Sequence, residues 1–346
     1  MAKIKTGNTE SRKKQHVELV AKQDVEYSSS AGFEDVLVLY NALPELNADS
    51  VDLSTNFLGK KLKLPLLITG MTGGYGDAER INKSIAEVAE RKGLAMGLGS
   101  QRAMIEKPEL FKTYYVRDVA PKIPLLANIG AFQLKKYSIS QIESLVSKVE
   151  ADALAIHINP MQEYVQPEGD RDFSGVLHAI KRIASKVRVV VKEVGGGISR
   201  EVALKLFEAG AEYVDVSGAG GTSWSKVEML RGGLSGFEEF GIPTADAIIM
   251  CKGTGKLIGS GGIRNGIDAM KAVLLGAEVA GTARPFLLAC LSNNLPALVE
   301  EWEKQMKGMA FLTGSRNLKQ FRKAHYILKG QLAQRVEEYK KKGLIK

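Results

Sequence analysis

Short runs of consecutive apolar residues recur through the middle of the chain, separated by stretches in which apolar positions return at helical spacing. Eight runs stand out: Pro65-Leu66-Leu67-Ile68-Thr69, Leu94-Ala95-Met96-Gly97-Leu98, Leu125-Leu126-Ala127-Asn128-Ile129, Leu154-Ala155-Ile156-His157-Ile158, Arg188-Val189-Val190-Val191-Lys192, Tyr213-Val214-Asp215-Val216-Ser217, Leu257-Ile258-Gly259-Ser260 and Val279-Ala280-Gly281-Thr282. Continuous apolar runs with helices between them are the mark of parallel strands buried on both faces. Most starts lie roughly thirty residues apart, and Glu208-Ala209-Gly210-Ala211-Glu212 and Leu275-Gly276-Ala277-Glu278 match as helix ends feeding the next strand. Eight repeats without a clear reversal of strand order predict an α/β fold closed as a (β/α)8 TIM barrel rather than an open doubly wound sheet.

At 346 residues the chain exceeds the roughly 250 that such a barrel needs. The excess predicts an N-terminal arm and lead-in over 1–64, a catalytic barrel over 65–300 and a helical, basic extension over 301–346. One internal stretch, Gly218 to Gly241, is too long and too rich in glycine for a turn. Lying after the sixth strand, where a lid would be, it is expected to be either functional or disordered.

The net charge of +9 raises the question of nucleic acid. Residues 300–346 hold 12 Lys/Arg against 5 Glu, so the tail supplies +7 of that charge and the barrel is nearly neutral. Aromatic residues do not interleave with Lys340-Lys341-Lys342 as a stacking platform would require, which argues against a nucleic-acid partner. No run approaches the ~18 apolar residues of a membrane span, and Met1–Gly7 lacks an apolar leader. Cys251 and Cys290 have neither C-x-x-C spacing nor a neighbouring histidine. A reducing, cytoplasmic setting is therefore expected.

The chemistry gathers at the strand ends. Gly259-Ser260-Gly261-Gly262-Ile263-Arg264 and Gly281-Thr282-Ala283-Arg284 are adjacent glycine-rich turns that open helices, where backbone N–H groups and helix N-termini suit a phosphate. Earlier strands end in Thr69-Gly70-Met71-Thr72, Gly99-Ser100-Gln101-Arg102, Asn128, His157-x-Asn159-x-x-Gln162-Glu163, Lys192, and Ser217 with Thr222. So many polar ends point to a large ligand. Lys192 closes a valine run and aims at the mouth. Glu193 alternates to the other face, so an anionic ligand group is the expected counter-charge for Lys192. Glu163 suits a Mg²⁺ that takes its other oxygens from phosphate and water; Asp170 and Asp172 offer the same chemistry but sit where a helix begins. His157 fits a general base or a hydrogen-bonding neutral imidazole. Met250 and Leu257 spoil Gly253-Thr254-Gly255-Lys256 as a P-loop, and neither G-x-S-x-G nor H-E-x-x-H occurs.

Met71-Thr72-Gly73-Gly74, Gly99-Ser100-Gln101-Arg102, His157-Ile158-Asn159-Pro160-Met161-Gln162-Glu163, Gln166-Pro167-Glu168-Gly169-Asp170-Arg171, Gly220-Gly221-Thr222-Ser223-Trp224 and the arm's Arg12-Lys13-x-x-His16 together resemble the type 2, FMN-dependent isopentenyl diphosphate isomerases over roughly residues 10–315. The resemblance implies FMN held by Gly70, Met71, Thr72, Ser100, Asn128, Lys192, Ser217 and Thr222, with its phosphate at Gly261, Gly262, Arg264, Ala283 and Arg284. It implies substrate contacts from Arg12, Lys13, Ser100, Gln101, Arg102, His157, Asn159 and Gln162, catalytic roles for Gln162 and His157, and Mg²⁺ on Glu163. It also implies NADPH or another reductant for the initial reduction of FMN, a homo-oligomer of four or eight subunits, and a 1,3-allylic proton shift with reduced flavin as acid and base. Arg12 and Lys13 precede the first strand by about fifty residues and can serve only if the arm folds over a barrel mouth, its own or a neighbour's.

Three other readings are weighed. A flavin-dependent 2-hydroxyacid oxidase expects a histidine in the loop after a late strand, and Ser217-Gly218-Ala219-Gly220-Gly221 offers none. An inosinate dehydrogenase needs a loop cysteine, whereas Cys251 precedes the seventh strand. A non-catalytic sensor of a phosphorylated ligand would tolerate changes at His157, Gln162 and Glu163.

Overall fold

The structure, a computed structural model, describes residues 9–345; Met1–Gly7, read above for an apolar leader, lies outside them. All eight expected strands form: β1 Leu66–Ile68, β2 Ala95–Gly97, β3 Leu125–Gly130, β4 Ala153–His157, β5 Val189–Lys192, β6 Tyr213–Asp215, β7 Leu257–Ser260 and β8 Val279–Thr282. Each pairs in parallel with its neighbours, and Thr282 opposite Ile68 closes the barrel. Nearly every strand residue is buried, as continuous apolar runs require when helices cover the outside.

The N-terminal end of the barrel is plugged. A hairpin of Thr55–Phe57 and Lys60–Leu62 drives Phe57, Leu58 and Leu62 against Leu67, Leu126, Val190 and Ile258 inside the barrel. The strand C-termini form the opposite, open end, where a barrel carries its chemistry.

The arm is a helix, Thr9–Lys22, laid over the mouth of its own barrel, followed by an extended segment bridged at Glu26 to Thr222. Further on, Val36–Val38 pairs antiparallel with Tyr326–Leu328, lacing the two ends of the chain together.

One expectation changes. Residue 300 is not an architectural break, because helix Leu295–Phe311 runs across it and packs on Gly266–Leu275 with Trp302 fully buried. The basic tail docks on the barrel through Arg335, which grips the buried Asp246 at 2.6 and 2.9 Å, and Tyr339, whose Oη donates to the same carboxylate at 2.8 Å, while Lys340, Lys341 and Lys342 are exposed.

The 218–241 stretch is built, not slack. Ser223 caps helix Trp224–Leu230, and the hydroxyls of Ser223 and Ser225 donate to the carbonyls of Glu238 and Phe237, each at 2.7 Å. Hydroxyls that satisfy loop carbonyls fold the segment onto itself, which glycine content alone does not reveal.

Candidate functional site

One large cavity opens at the strand C-termini, under the arm helix. Its described walls carry six cations, Arg12, Lys13, Arg102, Lys192, Arg264 and Arg284, against two carboxylates, Glu26 and Glu163. An excess of that size selects a polyanion.

The cations fall into two groups. At the end of β7, Gly261 and Gly262 turn with φ of 100° and 66°, a conformation that favours glycine. The N–H groups of Gly262 and Ile263 have no intramolecular acceptor among the described residues. Beside them, helix Arg284–Leu291 begins without a side-chain cap, with Pro285 in its first turn. Free N–H groups at a helix start make an anion cup. Arg284 and Arg264 flank it, 3.0 and 3.5 Å from the arm's Glu26. Nothing in the sequence pattern had pointed to Glu26.

The second group lies across the mouth. The arm supplies Arg12 and Lys13, and the turn after β2 supplies Arg102, which pairs with Glu106 at 2.8 Å. Burial, with Arg12 and Arg102 nearby and Glu106 opposing, pulls the Lys13 ammonium down to about 7.

Between the groups, register aligns Gly130, His157, Lys192 and Asp215 on neighbouring strands. Lys192 reaches the cavity and donates to the carbonyl of Glu193 at 2.7 Å. The Glu193 carboxylate faces away, as alternation requires, and accepts from the N–H groups of Val194, Gly195 and Gly196. Asp215, buried beneath, accepts from Ser260 Oγ at 2.6 Å, and its burial raises its pKa. Burial, with Lys192 and Lys13 adding to it, lowers His157 to about 3. His157 is therefore a neutral imidazole, with Nδ1 2.8 Å from Asn128 Oδ1. That favours the hydrogen-bonding role and makes it a poor general base.

After β4, helix Pro160–Val165 starts on a proline and sets Asn159, Gln162 and Glu163 on one side at i, i+3 and i+4. Asn159 Nδ2 donates to Gln162 Oε1 at 3.0 Å and to Glu163 Oε1 at 3.2 Å. Gln162 Nε2 donates to Glu228 Oε1 at 2.9 Å. Burial opposes the charge on Glu228, but His16, Arg231 and Gln162 hold its pKa below the usual range. His16 Nε2 lies 3.0 Å from that carboxylate, and its ring meets Trp224 edge-on at 5.1 Å. Glu228 was missed because its partner His16 is remote in sequence.

Glu163 Oε2 accepts from Asp170 N–H at 2.8 Å; burial raises its pKa, and it has no ion pair among the described residues. Asp172 is committed to Lys135 at 2.8 Å on the surface. No cluster of three metal-ligating side chains occurs among the described residues.

Of the expected site residues, only Gln101 is misplaced. Its side chain is fully buried behind the mouth, accepting from Asn128 N–H at 2.9 Å and donating to the Leu145 carbonyl at 3.2 Å. It ties the end of β2 to β3 and touches no cavity wall. The others, from Gly70, Met71, Thr72 and Ser100 to Ser217, Thr222 and Ala283, line the cavity.

Comparison with known proteins adds three findings. The family described as FMN-dependent dehydrogenase matches residues 139–328. Proteins named isopentenyl-diphosphate delta-isomerase are similar throughout: that of Pyrococcus abyssi is 42% identical over 92% of this chain and 92% of its own length. The one from Rickettsia rickettsii (strain Sheila Smith) is 44% identical over 92% of this chain and 97% of its own. Among solved structures, a mandelate oxidase variant superposes with a TM-score of 0.63 over 92% of this chain and 99% of its own, at 16% identity, a likeness of fold.

Proposed function

The chain belongs to the type 2, FMN-dependent isopentenyl-diphosphate delta-isomerase family, and from that premise we propose that it interconverts isopentenyl and dimethylallyl diphosphate by a 1,3-allylic proton shift. A proton is added at carbon 4 and another leaves carbon 2, so no electrons are consumed. The observation that carries this reading is the division of cavity charge into two anion positions, a backbone cup flanked by Arg264 and Arg284 and an arm-built cluster of Arg12, Lys13 and Arg102. One suits a cofactor phosphate and the other a substrate diphosphate.

The donor set fits FMN. The N–H groups of Gly262 and Ile263, unpartnered among the described residues, suit its phosphate, with Gly261, Ala283 and the two arginines around them. Lys192, whose ammonium has only a carbonyl partner among the described residues, suits the pyrimidine edge of the ring. Gly70, Met71, Thr72, Ser100 and Asn128 would line one side, Ser217 and Thr222 the other. Bound and reduced, the flavin would supply an electron-rich anionic surface together with acid and base. NADPH serves as its reductant in this proposal.

The protein's own work is binding, orientation and exclusion of water. An unactivated alkene is a weak base, so its protonation needs a dry, oriented site. The arm helix closes over the mouth and brings cations to the diphosphate. Glu163 fits Mg²⁺, because it is a half-buried carboxylate without an ion pair among the described residues, beside the predicted diphosphate. Gln162, its amide fixed by Glu228 and Asn159, positions a proton beside the reacting carbons; an amide is too weak an acid to act alone. Neutral His157 and Asn159 contact the substrate as hydrogen-bonding groups.

The proposal extends to a cytoplasmic homo-oligomer of four or eight subunits. Exposed Leu37, Leu39 and Ile327 along the terminal strand pair offer apolar surface for assembly. Cys251 and Cys290 are both free and buried, and no helix among the described residues is long and apolar enough to cross a membrane.

The test is purification followed by flavin absorbance and a proton-NMR assay with isopentenyl diphosphate and Mg²⁺. A yellow protein that isomerises the substrate once reduced supports the reading. A colourless protein that binds no added FMN refutes it.

A further inference from the structure

Lys13 crosses from the arm to the end of β2, where its ammonium donates to the Ser100 carbonyl and to Tyr114 Oη, the latter at 2.6 Å. Tyr114 follows the short turn Pro108–Thr113 and is fully buried. Its hydroxyl donates its only proton to the same Ser100 carbonyl at 2.8 Å. A phenol whose proton is committed can offer only lone pairs to further partners, so it receives Lys13 as an acceptor. Burial, with Glu106 adding to it, pushes the Tyr114 pKa up and keeps the phenol protonated.

The end of β1 is shaped around this ring. A Cβ at Gly73 would stand 2.0 Å from Tyr114 Cε1, and one at Gly74 2.7 Å from its hydroxyl and 3.2 Å from Lys13 Nζ. Thus Gly73 and Gly74, which in the sequence read as part of a ligand-facing motif, leave room for Tyr114 and the arm lysine.

We propose that Tyr114 is the positioning residue for Lys13, holding the arm's ammonium at the rim of β2 where the substrate diphosphate binds. The assignment rests on the isomerase reading and adds a residue that no part of that reading requires. A lysine side chain loses several rotatable bonds' freedom when it is fixed, and Tyr114 imposes that cost before substrate arrives. The ring also contacts Lys13 from the side, with the ammonium 5.1 Å from its centroid.

Tyr114→Phe removes the hydroxyl and keeps the ring. In the FMN-loaded enzyme, KM for isopentenyl diphosphate is expected to rise about five- to tenfold, the range of one hydrogen bond, with kcat within about twofold. Flavin content and Tm stay unchanged. Lys13→Met raises KM further, and adding Tyr114→Phe to it has no additional effect, since the two act as one unit. Unchanged KM in Tyr114→Phe, or additive effects in the double variant, overturns the assignment. Binding of inorganic pyrophosphate by calorimetry gives the same comparison without turnover. A protein that fails to isomerise but whose pyrophosphate affinity falls five- to tenfold in Tyr114→Phe would remove the functional reading and leave Tyr114 in its place.

Discussion

Gln162 Nε2 donates to Glu228 Oε1 across 2.9 Å, joining a side chain on the cavity wall to a carboxylate with no exposure. Because Gln162 Oε1 accepts from Asn159, its amide has one orientation, with N toward Glu228 and O toward Asn159. Glu228 therefore acts on the site through Gln162, and its own charge is stabilised by the ion pair with Arg231.

Glu228→Gln keeps the shape but removes the charge that orients the amide. The expected result is a fall in kcat of about ten- to a hundredfold, the size of effect seen when a supporting shell is loosened, with FMN content retained. Steady-state kinetics and flavin absorbance of the purified variant check it.

Glu163→Gln should leave flavin binding intact and raise the Mg²⁺ concentration for half-maximal rate by about tenfold or more, because a neutral amide is a poor ligand for a hard cation. An unchanged Mg²⁺ titration would remove Glu163 from the metal site.

Lys192→Ala should weaken FMN about ten- to a hundredfold, the value of a charge-assisted contact, while the apo-protein melts within a few degrees of the parent. Fluorescence titration with FMN and a thermal melt separate the two effects.

The rate should follow a bell in pH. Lys13, faced by Arg12, Arg102, Glu106 and Tyr114, carries its charge below about 7, so kcat/KM declines as pH rises through that value. On the acid side Glu163 must lose its proton to hold a cation, which places the rising limb above the usual carboxylate range. For stability, a lysine lowered from 10.5 to about 7 binds fewer protons folded than unfolded between those values. Its burial penalty is thus complete below about 7 and fades as pH rises toward 10.5.

The barrel was legible because its strands are continuous Leu, Ile and Val runs closed by polar ends, and that pattern survives without tertiary information. The cup was legible for the same reason: Ser260-Gly261-Gly262 and Thr282-Ala283-Arg284 sit at fixed places in the repeat. What stayed hidden depends on contacts remote in sequence. Gln101 stands between Ser100 and Arg102, which both face the cavity, and nothing local shows that its amide turns inward to Asn128 and Leu145. Glu228 and Tyr114 look like ordinary helix and core residues until the arm sets His16 and Lys13 beside them. The glycines of 218–241 left the order of that segment open, and the hydroxyls of Ser223 and Ser225 fasten it down. His16 also makes loss of residues 1–16 more than loss of Arg12 and Lys13, since it would uncover Glu228.

The most direct test is proton NMR of isopentenyl diphosphate incubated anaerobically in D₂O with Mg²⁺ and the FMN-loaded protein, once oxidised and once reduced. The account predicts dimethylallyl diphosphate carrying deuterium in the methyl group formed from carbon 4, in the reduced sample alone and without net consumption of reductant. Equal turnover by the oxidised protein, reductant consumed in step with product, or no product in either sample would contradict it.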